Sequence, residues 1–188
     1  MGTLQGSWLF RGFQVRAYHG WGKRPEGSYG TSVNPQQVPE NGDFRRWGGS
    51  LSLDREAAPG VWLRGEAGWA GGQAFDRFKA LDVGGTGGSV RVAGIRANAI
   101  AADQVTYAKA GLAFPTGPSL RLSLDLEYAR SRSLDDRKTY GVSGLGITGD
   151  LPGFWWFTAV RVDLGVGLHS DIEGVKGVNG YVALLRVF

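Results

Sequence analysis

SLRLSLDLEYAR, residues Ser119 to Arg130, is the stretch whose reading decides the fold class. Leu120, Leu122, Leu124, Leu126 and Tyr128 fall on one parity, and Arg121, Ser123, Asp125 and Glu127 on the other. A β-strand sends successive side chains to opposite faces, so this segment has one apolar face and one charged face. Wound as an α-helix, the same leucines would scatter around the circumference and leave no common stripe.

The pattern repeats on both sides of it. Phe44 to Arg55 sets Trp47, Gly49, Leu51 and Leu53 against Arg46, Ser50, Ser52 and Asp54. After the turn Ala57 to Gly60, Val61 to Trp69 sets Leu63, Gly65, Ala67 and Trp69 against Arg64 and Glu66. Val105 to Phe114 places Ala108, Ala110, Leu112 and Phe114 together. Phe154 to Leu168 opposes Val160, Val162, Leu164 and Val166 to Arg161 and Asp163. Weaker alternation marks Gly6 to Trp21 as a first strand, and Gln73 to Val83, Ser89 to Ile100 (with a bulge at Gly94), Lys138 to Gly149 and Gly180 to Phe188 as others. The count is ten strands, with eight as the alternative reading. All seven prolines fall at connections, as hydrogen-bonded ladders require.

The expected architecture is therefore all-β, an antiparallel up-and-down barrel formed by residues 1–188 as one domain. The turns AAPG, GGTGG, PTGP and DLPG would lie on one rim. The longer connections beginning at Lys23, Arg132 and His169 would lie on the other. Short turns on one side and long loops on the other is the asymmetry of transmembrane barrels.

Composition agrees with such a fold and excludes others. The 188 residues include 32 glycines and no cysteine, so neither a disulfide framework nor a thiolate metal site is available. No apolar run reaches the length of a membrane-spanning helix. The mean hydropathy of −0.17 suits alternating strands, whose apolar residues never form a run. No signal peptide follows Met1, so an exported chain would here be in its mature form. Net charge is +4, a modest basic bias; without an aromatic–basic platform, nucleic acid is not an expected partner.

Two orientations fit the alternation: leucines out toward lipid with charges inside, or the reverse, a soluble sandwich or barrel that binds a ligand or carbohydrate. Aromatics at strand ends (Trp8, Trp21, Trp47, Trp62, Trp69 and Phe154 to Phe157) have the distribution of girdles at a lipid headgroup region. The first orientation is therefore expected. An interior charge network would then comprise Arg46, Asp54, Arg64, Glu66, Arg121, Asp125, Glu127, Arg161 and Asp163, since a charge on the mid-membrane lipid face costs ~2–4 kcal/mol.

The end of the chain, GYVALLRVF, carries Val182, Leu184 and Phe188 on one parity. A final phenylalanine closing an alternating apolar strand resembles the assembly signal of Gram-negative outer-membrane β-barrel proteins; Arg186 stands where that pattern usually has an aliphatic or aromatic residue. The resemblance implies an outer-membrane location, the bilayer and its lipopolysaccharide as partners, and recognition of Phe188 by the outer-membrane assembly machinery. It also admits membership of a larger secretion component.

Candidate chemistry is sparse. His19 and His169 are the only histidines, both expected at the long-loop rim. His169-Ser170-Asp171 has hydrolase residue types, but chain neighbours do not supply the order of nucleophile, base and orienter. DVGGTGG (Asp82 to Gly88) precedes a β-like segment, not a helix, and so lacks the frame of a phosphate loop. Asp125 and Glu127 share a face, as glycosidase carboxylates can, although interior ion pairing accounts for them. No metal-ligand cluster is present and no cofactor is implied. Arg11, Arg16, Lys23, Arg24, Arg45 and Arg46 could meet lipopolysaccharide phosphates or an acidic polysaccharide. The expected function is a non-enzymatic membrane barrel with a surface-recognition or narrow-pore role. A lipid-active barrel enzyme is the second reading.

Overall fold

The computed structural model describes residues 2–10, 12–23, 43–75, 80–85, 89–116, 120–152 and 159–185. Its elements are β1 (Gly2–Phe10), β2 (Phe13–Lys23), β3 (Asp43–Ala58), β4 (Val61–Gln73), β5 (Leu81–Gly84), β6 (Val90–Arg91), β7 (Ile100–Pro115), β8 (Arg121–Ser133), β9 (Thr139–Pro152), β10 (Ala159–Ser170) and β11 (Val178–Leu185). Nine of them form one continuous antiparallel path, β1-β2-β3-β4-β7-β8-β9-β10-β11, in up-and-down order. β5 pairs with β7 and, in parallel, with β6. Among the described residues no pairing joins β1 to β11, so the sheet is not closed.

Strand count and three segments depart from the sequence expectation of ten. Gly6 to Trp21 is a hairpin, not one strand: Phe10 faces Phe13 across a turn whose Gly12 has φ +86°, a conformation glycine adopts without strain. The Gly12 carbonyl accepts a hydrogen bond from the Asp54 N–H at 3.1 Å, which fixes the turn against β3. Among the described residues, Gln73 to Val83 holds the end of β4 and the start of the short β5, and Ser89 to Ile100 the two residues of β6, turns and the first residue of β7. Gly94, the expected bulge, has φ +70° and lies in this turn region. The GGTGG stretch therefore does not close a hairpin on the short-turn rim. β4 ends and β7 begins at the end of the sheet where β2, β8 and β10 also end, opposite the end where β1, β3, β7 and β9 finish.

The two faces of the sheet differ sharply. Register partners Leu112, Leu124 and Ile147 form one outward row, and Ala110, Leu126, Leu145 and Val166 the next. Leu126 is 52% exposed and Leu124 43%. On the other parity Asp125 is 1%, Glu127 3% and Asp163 2% exposed. Leucines therefore face out and carboxylates in.

The inner face carries residues 80–85 and 89–100. Leu81, Val83, Val90, Val92, Ile95 and Ile100 are buried there with Ala102, Val105, Ala129 and Val142 of the strands. Glycines on β9 and β10 make the room: a Cβ on Gly144 would lie 1.7 Å from the Ala93 carbonyl oxygen, and one on Gly165 2.5 Å from the Gly94 nitrogen. The pattern is weak over Lys138 to Gly149 because its inward positions Gly144 and Gly146 lie against Ala93 and carry no side chain.

The sheet curls around the inserted segment. Thr3 and Gln5 of edge strand β1 line a cavity with Ser89 and Val90, while Asn179 of the other edge, β11, bonds the backbone of Gly94 and Ile95. A flat sheet of this order would hold its edges about 38 Å apart. Residues 89–95 span at most about 20 Å even when fully extended.

Candidate functional site

The charged inner face is the densest constellation of reactive groups. Each of its residues is aimed there by strand parity, and the curl brings distant strands within side-chain reach. Lys109 of β7 is the centre: its Nζ lies 3.1 Å from Asp125 and 3.0 Å from Glu127, both on β8. Arg64 of β4 approaches Asp125 at 4.0 Å. The other Glu127 oxygen accepts the Ala93 N–H at 2.6 Å, so the cluster also anchors the inserted segment. A second group surrounds Asp163, which pairs with Arg91 at 2.9 Å and Arg161 at 3.1 Å and accepts a hydrogen bond from the Thr148 hydroxyl. Arg161 also reaches Asp150 at 3.7 Å.

The nine residues expected to form one network are thus divided. Asp125 and Glu127 meet through Lys109, Arg64 approaches Asp125, and Arg161 meets Asp163. Arg121 and Asp54 pair by themselves at 3.0 Å toward the short-turn end, with both side chains a third or more exposed. Glu66 accepts the Tyr107 hydroxyl at 3.0 Å. Arg46 stands over the Tyr18 ring, 5.8 Å from its centre, and its buried Nε has no hydrogen-bond partner among the described residues.

Sequence reasoning missed Lys109, Arg91 and Asp103. Lys109 was legible, since it lies between Ala108 and Ala110 on the opposite parity. Arg91 was not, because its position depends on where the inserted segment lies. Asp103 sits at a register shift in β7 that no local signal announces; it binds Arg132 through two contacts of 2.8 and 2.9 Å and Arg137 at 2.6 Å.

His19 and His169 occupy separate strands, both on the outward parity. His19 packs its ring against Trp21. His169 Nε2 lies 3.0 Å from Asp171 Oδ1, whose second oxygen accepts the Gly141 N–H at 2.6 Å. These contacts, the Gly141 hydrogen bond first and the histidine second, hold the Asp171 carboxyl below its ordinary pKa range. Ser170 turns away from the histidine: its hydroxyl donates to the Ile172 carbonyl and accepts the Ile172 N–H. No nucleophile-base-orienter sequence forms within His169-Ser170-Asp171. Among the described residues no group of three or more histidine or carboxylate side chains could hold a metal, and no helix is long and apolar enough to cross a membrane. Phe188 and most of the connection from Lys23 to Asp43 lie outside the described residues, as do Arg11, Arg24 and Phe154 to Phe157.

Neither the models of known protein families nor the curated proteins contain a match to this chain.

Proposed function

We propose that this chain is an integral outer-membrane β-barrel of a Gram-negative bacterium, non-enzymatic, with a filled interior and a recognition role at its long-connection rim. The observation that carries this reading is the inverted distribution of polarity. Outward rows of leucine, isoleucine and valine cover neighbouring strands, while Asp125, Glu127 and Asp163 are buried. Water penalises exposed apolar rows of this extent, and monomeric soluble proteins rarely display them; a hydrocarbon surround satisfies them. Arg130 and Arg132 continue the outward parity of β8 beyond Tyr128 and bound the apolar band where a headgroup region would begin.

Within this reading the buried segments 80–85 and 89–100 fill the interior, which favours a plugged barrel over an open pore. The bilayer and its lipopolysaccharide are the partners of the outer face and of the basic rim residues. The assembly machinery would read the terminal strand ending in Phe188. The lipid-active enzyme is less well supported, because Ser170 is engaged with Ile172 and not with His169.

The test is refolding into detergent micelles followed by gel electrophoresis with and without boiling. A folded barrel resists the detergent and migrates differently until heated. An unshifted band, or a monodisperse chain in plain buffer, overturns the proposal.

A further inference from the structure

Beside the inserted segment, a cavity of about 410 Å³ opens between the inner faces of β1 to β4 and Leu81, Ser89 and Val90. Its size falls in the range of small-molecule sites. The cavity is built, not left over: the Tyr18 hydroxyl lies 2.7 Å from where a Cβ on Gly48 would sit and its ring 2.8 Å, and the Tyr107 ring lies 2.7 Å from where a Cβ on Gly68 would sit. Both tyrosines thereby occupy space that only glycine leaves free. Leu81 and Val90, both buried, supply an apolar wall.

The polar side of the cavity is electrically unfinished. Arg46 lines it with a buried Nε that has no acceptor among the described residues. A desolvated guanidinium N–H without a partner is costly, and such forks match planar carboxylates. Arg16 is the second cation on the lining, its guanidinium held by Gln14 at 2.8 Å. Glu66 also lines the cavity, with its charge engaged by the Tyr107 hydroxyl. Two cations against one carboxylate leave room for one negative charge, and a dianion would meet Glu66.

We propose that this cavity is a binding site for a small organic monocarboxylate, its carboxylate on Arg46 and its apolar body against Leu81 and Val90. The proposal rests on the inward orientation of Arg46 and deepens the barrel reading by giving its interior a ligand.

The probe is 4-fluorobenzoate, followed by fluorine NMR on the full chain refolded in micelles, with 4-fluorobenzyl alcohol as a control of similar size without the charge. Saturable binding of the carboxylate is expected, with roughly ten-fold or greater weakening in Arg46→Gln and weaker binding of the alcohol. Arg46→Lys, which keeps the charge and loses the fork, is expected to fall between. Equal binding by wild type and both variants, equal binding of the alcohol, or no saturable binding by wild type overturns the site. Boiled and unboiled gel lanes of the same samples separate the two ideas. A heat-shifted wild type that fails to bind sinks only the ligand. A protein that shows no shift sinks the membrane reading, and the ligand is then tested on the chain in plain buffer, with the same outcomes deciding.

Discussion

Glu127 and Asp54 are both carboxylates on the inward parity, yet their surroundings assign them different weights. Glu127 is buried, accepts the Ala93 N–H and shares Lys109 with Asp125. Asp54 pairs with Arg121 where both side chains meet solvent. Glu127→Gln keeps an acceptor for Ala93 but leaves the part-buried Lys109 ammonium with one carboxylate, and a loss of about 1–3 kcal/mol is expected. Asp54→Asn is expected to cost less than ~1 kcal/mol, as exposed pairs do. Urea unfolding of the two variants in the same lipid reads the difference directly; equal midpoints would show that burial does not rank these pairs. At the rim, Asp171 makes a pH prediction whose sign follows from its depressed pKa. Its contribution is complete above the ordinary carboxylate range and is lost as pH falls through the lower folded value. The Gly141 amide proton, bonded to Asp171, should therefore titrate with a midpoint below the usual 3.8 of an aspartate. In Asp171→Asn that titration should vanish.

At the scale of elements, legibility followed the range of the interactions. β4, β7, β8 and β10 alternate because each has one dry and one charged face, and that pattern needs no knowledge of neighbours. The break at Gly12 carries neither proline nor an Asn-Gly pair, so only the positive φ of one glycine marks the turn. Ser89 to Ile100 looks like a strand because its valines and isoleucines are buried, but they are buried against the inside of a sheet. What places them there is a trough of glycines on β9 and β10, more than forty residues downstream in the chain. Gly144 is the narrowest point of that trough. Gly144→Ala would drive its methyl into the Ala93 carbonyl, with the Val166 carbonyl 3.2 Å away on another side, so neither the segment nor the strand can yield cheaply. A destabilisation of about 3 kcal/mol or more is expected, together with new tryptic cleavage at Arg91 and Arg96 as the segment is expelled. Gly177, around which a Cβ would meet nothing within 4 Å, is the control, and Gly177→Ala should leave both readouts unchanged. Resistance of Gly144→Ala to trypsin would mean that the segment is held by its ion pairs and not by the fit of its backbone.

The whole molecule is organised by one geometric fact, that both sheet edges reach the same short inserted segment. Asn179 fixes the β11 edge with two hydrogen bonds, to the Gly94 N–H and the Ile95 carbonyl, while the β1 edge reaches it only across the cavity. The nine-strand path makes the meeting of these edges unusual. Each step along the path reverses direction, so β1 and β11 run the same way, from the long-connection rim to the short turns. A seam between them would be a parallel ladder in an otherwise antiparallel wall. The chain has no cysteine, which allows the seam to be probed with introduced pairs alone. Gln5 or Ser7 on β1 would be replaced together with Tyr181 or Ala183 on β11, all on the inward parity by their register partners. A disulfide requires Cα atoms about 4.4–6.8 Å apart, so only edges that truly meet can form one. Ser7 with Arg16, direct partners in the β1-β2 hairpin, serves as the positive control. If the sheet closes in micelles, at least one seam pair oxidises within a single molecule as fully as the control, and that chain stays compact on a gel after boiling without reductant. If the edges stay apart, the control links while every seam pair remains reduced or joins two molecules, and the proposed closed wall fails.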